Sequence, residues 1–460
     1  MKLTVTHPGY TIGAFLQLLC VTVLLGLTVV GFAFLFAGMA AVYSNMVARN
    51  VLAGREEKAE NQGGKTWGHS RMKARVTAGA DLLPRIAAKL SGLRLGLLTN
   101  PTGVDARFRT TLAACAEMPS VRLSALFACE HGLRGERQAG VRFEDEEHPE
   151  LGIPVYSLYG TRKKPDAAML EGVDAVLFDI QDTGVRFYTY LSTLVYMMAA
   201  CAQTGRALYV LDRPHPLGAL RAEGGLLQPG YESMVGAVAG TPYATGMTIG
   251  EYAGWVNDRL EQPCALTVVP MEGWKRGMRF DETGLPWIVP SPNVPTLDTV
   301  RVYAGTCLFE GTNVSEGRGT TRPFETVGAP WIDGERLARE FASFGLAGVH
   351  AHPLYFSPTF SKHQGELCGG VRLYVTEPDV FESVRAGLTL LRSMQKLYPE
   401  TFRFLPPVRE GGKAFIDLLT GDSLVAAELA EDGGLRRVLD RYEADIEGWK
   451  KERSGYLLYM

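Results

Sequence analysis

Five apolar runs of strand length, each closing on polar residues, constrain this chain more than any other feature of its sequence. They are LRLGLLTN (93–100), VRLSALFA (121–128), IPVYSLYG (153–160), DAVLFDIQD (174–182) and ALYVLDRP (207–214). Helix-like segments at 104–118, 164–172 and 190–204 fall between them. Strands that are apolar along their whole length and alternate with helices predict a parallel sheet covered on both faces, hence an α/β fold. At their carboxyl ends the runs deliver Asn100, Glu130, Tyr159, Asp179 with Asp182, and Asp212 with Arg213. Open α/β sheets bind ligands in the crevice beyond those ends, so these residues are the first candidates for a site.

The amino terminus differs in kind. No charged residue occurs from Ile12 to Val42. About 20 apolar helical residues span a bilayer core, and a cleavable signal core is usually about 7–15 residues, so the run reads as an uncleaved transmembrane helix. Residues 1–49 are therefore taken as a membrane anchor and 50–75, polar and turn-rich, as a linker. Lys2 precedes the run and Arg49, Arg55, Lys58 and Lys65 follow it. Charge alone would keep the C-terminal side inside, but long domains translocate largely regardless of that rule. A catalytic unit is expected over 76–320 and a second α/β unit over 321–460. In the latter, a helix at 333–346, a strand at 370–376 and a helix at 378–397 are legible.

Several function classes are excluded early. A net charge of −3 lacks the Lys/Arg surplus on which nucleic-acid affinity rests. The seven cysteines form no CxxC pair, which argues against a zinc ribbon or a thioredoxin motif and for buried free thiols. Thr99-Asn100-Pro101-Thr102-Gly103 after the first run is not a GxGxxG, and neither a P-loop nor a GxSxG elbow is present. His131 with Glu136, and Glu144, Asp145 and His148, lack metal-ligand spacing, so neither a metal nor a cofactor is expected.

Three clusters remain. In FACEHGLRGERQAG (127–140), Glu130 ends an apolar strand, where partial desolvation suits a carboxyl to donate a proton. His131 and Arg134 follow it among glycines. In VDAVLFDIQDTGVRFYTYL (173–191), Asp179, Gln181 and Asp182 suit sugar hydroxyls, Tyr188 and Tyr190 suit a pyranose face, and Arg186 suits a carboxylate. Either aspartate could instead cap the following helix. The third cluster joins WIVPSPNVPTLDT (287–299), with Asn293, to a glycine-rich loop carrying Glu310, Asn313, Glu316 and Arg318.

The segments FACEHGLRGERQAG, FDIQDTGVRFYTYL, LDRPHPLG, MTIGEYAGWVN, PSPNVPT and EGTNVSEGRGTTRPFE together resemble the exo-β-N-acetylmuramidase (NamZ-like) family, from about Asp81 to Tyr459. The resemblance implies a Rossmann-like catalytic domain and an auxiliary C-terminal domain. It also implies release of N-acetylmuramic acid from the non-reducing ends of peptidoglycan fragments, with the catalytic glutamate at Glu130, beside His131. Cys129, His215 and Ala219 depart from the family's usual proline, asparagine and glycine. Such a substrate places the catalytic units outside the cytoplasm, at the periplasm or cell surface. A non-catalytic muropeptide-binding protein and a hydrolase of another amino-sugar glycan are the competing readings.

Retaining glycosidases hold two carboxyl groups about 5–5.5 Å apart and inverting ones about 6.5–9.5 Å apart. A 2-acetamido sugar allows a third route, through its own carbonyl oxygen. Asp179, Asp182 and Glu316 are the candidate partners of Glu130. The lactyl carboxylate of muramic acid calls for an arginine, with Arg186 first choice over Arg134 and Arg318.

Overall fold

The structure is a computed structural model and describes residues 76–460. The expected anchor and linker, residues 1–49 and 50–75, lie outside the described residues. Among the described residues no helix is long and apolar enough to cross a membrane.

The five apolar runs form β1 (Arg94–Thr99), β2 (Arg122–Ala128), β4 (Pro154–Ser157), β5 (Ala175–Asp179) and β6 (Ala207–Leu211). Two strands join them that the sequence reading missed, β3 (Glu146–Glu147) and β7 (Ala265–Val269). The sheet order is β3-β4-β2-β1-β5-β6-β7, and every pair is parallel except β3 against β4. Strand β3 is only two exposed residues, and β7 is mostly half-exposed, so neither leaves a continuous apolar run. The strand order reverses at β1, which opens the crevice where the polar residues gather.

The helices follow their local signals. Helix Thr189–Thr204 buries most of its surface and ends on Gly205 in the left-handed region, φ 66°. Helix Ile249–Asn257 starts in a capping box, where the Thr248 hydroxyl accepts from Glu251 N and Glu251 Oε2 accepts from Thr248 N. The expected helix 104–118 begins only at Thr111, because Asp105 Oδ1 accepts from Arg107 N and Arg109 N and holds a turn there. At 164–172 a single tight turn, Ala168–Leu170, replaces the expected helix.

The C-terminal part carries a second, antiparallel sheet, ordered β8 (Thr326–Ala329), β10 (Cys368–Val375), β9 (Val349–Phe356). The fold is thus mixed α/β, with a parallel-rich sheet and a smaller antiparallel one. Helix Leu297–Thr306 leads from the first sheet towards the second and packs on helix Ser383–Leu397 through Gly305 and Gly387. A Cβ on either glycine would collide with the other's backbone. The Gly305 amide also donates to Ser383 Oγ at 3.0 Å.

Polar groups inside the first sheet are tightly paired. Arg213 donates from Nε and Nη2 to Asp179 at 2.6 and 2.8 Å, and both side chains are buried. Thr111 donates to the same carboxylate, and Arg213 Nη2 also reaches Val104 O at 3.0 Å. Asp212 accepts from Arg213 N, Gly250 N, Thr248 Oγ1 and Tyr459 Oη, which joins β6, a helix start and the chain's penultimate residue. The six described cysteines are free and buried.

Removing one partner of a buried ion pair leaves an uncompensated charge, at a cost of about 3–5 kcal/mol. Arg213→Met, which keeps much of the stem volume, should therefore lower unfolding stability by that amount in urea titrations. A loss under about 1 kcal/mol would show that water reaches Asp179 in its place.

Candidate active site

A cleft of about 540 Å³ opens above the carboxyl ends of the strands and is walled by both parts of the chain. Glu130 lies two residues beyond β2, at its base, and is 9% exposed. Its Oε1 accepts from Gly140 N at 3.0 Å, and its Oε2 accepts from the Thr189 hydroxyl at 2.8 Å. A hydroxyl can rotate to donate to a carboxylate or accept from the acid, so Thr189 can serve Glu130 in either state. Tyr159 stands beside them. Burial, then the charges of Glu130 and Glu310, push its phenol well above the usual range, so it remains a donor.

His131 follows in a left-handed conformation, φ 75°, that few non-glycine residues adopt. Its Nδ1 lies 2.7 Å from Arg137 O, which fixes Nδ1 as the protonated nitrogen and leaves Nε2 as an acceptor. Burial is the main cause of its lowered pKa and favours the neutral ring, outweighing the attraction of Glu130.

The facing chain segment supplies a line of alternating charges. Arg318 donates to Glu310 Oε1, from Nε at 3.1 Å and from Nη2, and forms an ion pair with Glu316, Nε to Oε1 at 3.1 Å. Lys362 donates to Glu316 Oε2 at 2.9 Å and to the carbonyls of Phe309 and Val314. Burial disfavours the Arg318 charge, but Glu310 and Glu316 outweigh it and hold the guanidinium above its ordinary range. Glu310 and Glu316 differ in freedom. Both Glu316 oxygens are engaged, whereas Glu310 Oε2 meets only the Cys307 thiol, at 3.6 Å.

Of the residues read from the sequence, Glu130, His131, Tyr159, Tyr188, Asn293, Glu310, Glu316 and Arg318 line this cleft together. The others do not, and for physical reasons. Asp179, wholly buried, is bound to Arg213 and Thr111, and Asp212 is bound into the network around Tyr459. Asp182 accepts from Gly184 N, within a turn where a Cβ on Gly184 would strike the His215 ring. Gln181 bridges to Asp182 O and Pro214 O, and Asn100 Oδ1 accepts from Thr102. Tyr190 donates to Pro290 O at 2.6 Å and so fixes the 290–293 turn rather than stacking on a ligand. Asn313 braces Thr401 and Arg403. Arg134 is exposed and outside the cleft lining. Arg186, the first choice for the lactyl group, is 1% exposed and turned away: Nη2 donates to Leu419 O at 2.7 Å, and the guanidinium lies over Phe187 and Tyr243.

Family models for the N-terminal and C-terminal parts of the exo-beta-N-acetylmuramidase NamZ match residues 95–298 and 301–459. The chain belongs to the exo-β-N-acetylmuramidase NamZ family. It is 45% identical over 388 residues to the peptidoglycan beta-N-acetylmuramidase NamZ of Bacillus subtilis (strain 168), covering 84% of this chain and 92% of that protein. Two crystal structures of DUF1343 family proteins from Bacteroides fragilis NCTC 9343 share the fold. One has a TM-score of 0.78 at 33% identity and the other 0.67 at 30%; each covers 84% of this chain and 100% or 99% of its own.

Within this NamZ-family site, Thr189 and Lys362 are polar cleft residues that the sequence-based choice missed. Lys362 carries no motif, because it arrives on the β9–β10 connection and meets Glu316 across 46 positions of sequence.

Asp182 gives a test of its structural placement. Burial pushes its carboxyl up to about 7, with Asp212 adding to the rise. An unfolded aspartate releases its proton near about 3.9, so between the two values the folded state binds more protons. Stability from this group is full below about 4 and falls as pH rises towards 7. Asp182→Asn retains an acceptor for Gly184 and removes the titration. Its Tm relative to the parent should therefore climb between pH 5 and pH 8 in calorimetric scans. A pH-independent difference would contradict the buried placement.

Proposed function

We propose that this chain is an exo-acting glycosidase that releases N-acetylmuramic acid from the non-reducing ends of peptidoglycan fragments, with Glu130 as general acid. One observation carries the assignment of the acid: Glu130 is the carboxyl group at the base of a cleft whose other carboxylates are gripped by cations. The B. subtilis relative, a peptidoglycan β-N-acetylmuramidase, supports the substrate class. The sheet reversal at β1 supports a Rossmann-like reading of the larger sheet.

In this reading the Glu130 proton passes to the glycosidic oxygen as the bond from that oxygen to the anomeric carbon breaks, and the bonding electrons leave with the oxygen. Water then adds to the anomeric carbon and loses a proton to a carboxylate. We assign the partner carboxylate to Glu310, because Arg318 orients its Oε1 while Oε2 carries only a long contact from the Cys307 thiol, which the reacting carbon or water can displace. This replaces Asp179 and Asp182, which are committed inside the fold, and Glu316, whose two oxygens are both engaged. Arg318 is the arginine of the three candidates that stands at the cleft.

The substrate lies outside the cytoplasm, and the uncharged run 12–42 supports a membrane anchor that holds the catalytic units there. Protease added to cells with permeabilised outer layers should digest the chain beyond residue 76. Protection with cytosolic markers intact would reverse the orientation.

Glu130→Gln keeps shape and hydrogen bonding but deletes the transferable proton, so turnover on a muramyl disaccharide should fall by about 10²–10⁴-fold. With an activated aryl leaving group that loss should shrink, whereas a Glu310→Gln loss should persist on both substrates. Near-normal turnover by folded Glu130→Gln would remove it from the acid role.

A further inference from the structure

The connection between β9 and β10, residues 357–367, is pinned to the wall of the cleft that carries Glu310. Thr359 donates to Gly319 O from both its amide and its hydroxyl, at 2.9 Å each. His363 Nε2 lies 2.8 Å from Asn313 O. Between these anchors, Ser361 and His363 both take up the left-handed region, φ 72° and 57°, on either side of Lys362. Residues held there persist only where the surrounding contacts over-determine them. What the turn delivers is one ammonium group, which donates to Phe309 O at 2.7 Å, Val314 O at 3.0 Å and Glu316 Oε2 at 2.9 Å. An ammonium has three donors, and these acceptors take all of them, so none is left for a substrate.

The charge of Lys362 bears on its neighbours. Arg318 has one guanidinium and two carboxylates within reach, with Nε 3.1 Å from both Glu310 Oε1 and Glu316 Oε1. Glu316 is the more buried of the two, its side chain 3% exposed against 18% for Glu310. With Lys362 in place, two carboxylates are matched by two cations. Without it, Glu316 would be a buried carboxylate whose remaining cation is shared, and an uncompensated buried charge is costly. The guanidinium would then go wholly to Glu316, and Glu310 would lose the partner that orients its Oε1.

We propose that Lys362 is a positioning residue for the cleavage reaction: by neutralising Glu316, it leaves Arg318 on Glu310. The inference rests on the reading of Glu310 as the partner carboxylate and adds the residue that holds it in place. Lys362 reaches that carboxylate only through Glu316 and Arg318, so its loss should act on turnover rather than on substrate binding.

The parent, Lys362→Met, Glu316→Gln and the double variant form the test. On a muramyl disaccharide and on an aryl N-acetylmuramide, Lys362→Met should lower kcat about 10–100-fold and leave KM within about threefold. The double variant lacks both the ammonium and the charge it neutralises, so its kcat should return to within about threefold of that of Glu316→Gln. Lys362→Arg, which keeps the charge, should lose far less than Lys362→Met. Crystal structures give a readout independent of turnover: Arg318 should lie against Glu316 alone in Lys362→Met and against Glu310 in the double variant. Equal kcat losses with and without the Glu316 charge, or Arg318 still on Glu310 in Lys362→Met, would overturn the proposal. Should Lys362→Met not fold, Lys362→Gln keeps a donor for the carbonyls, removes the charge and enters the same cycle. Absence of muramide turnover by the parent would instead overturn the glycosidase reading, and the crystal structures alone would decide whether Lys362 sets the place of Arg318.

Discussion

The buried pair between Asp179 and Arg213 is the contact on which the rest of the site depends. It joins the carboxyl end of β5 to the second residue after β6, and Val104 O and Thr111 bring the loop beyond β1 and the helix it enters to the same point. Two charges taken out of water must be matched in geometry or they destabilise the fold, so the three strand ends are held in one arrangement. The chain leaving β5 then runs through Gly184 and Val185 to Thr189, and the Thr189 hydroxyl reaches Glu130 from its own strand end. The ion pair itself lies outside the cleft lining and bears on the acid only through Thr189, which lines it.

Much of this is legible in the sequence. Strands buried on both faces leave apolar runs, and five of the seven strands in the large sheet were readable for that reason. Strand β7, mostly half-exposed, and the two-residue β3 leave no such trace. In the second sheet, β10 keeps an apolar run, whereas β9 dilutes its pattern with His350, His352 and Pro353 and leaves none. Glu130 was visible as a carboxylate closing an apolar strand.

The same signal misled at Asp179. Sequence spacing says that a polar residue ends a strand, but not whether its side chain turns towards open crevice or towards the next strand. Arg213 decides that question, and it comes from another crossover. Arg186 shows the same limit: it belongs to the right motif but lies on the far side of Phe187, among Tyr243 and the chain around Leu419. Lys362 is the converse, a charge at the cleft with no neighbouring motif to announce it.

The cleft straddles the boundary between the two family models, which meet between residues 298 and 301. Glu130, Thr189 and Asn293 come from one side, and Glu310, Glu316, Arg318 and Lys362 from the other. Neither half is therefore a self-sufficient unit of inheritance. A recombination event that joined the first half of one relative to the second half of another would exchange an entire charged wall while leaving the acid in place. In such a lineage the general acid would carry the history of the first half, and its partner carboxylate that of the second.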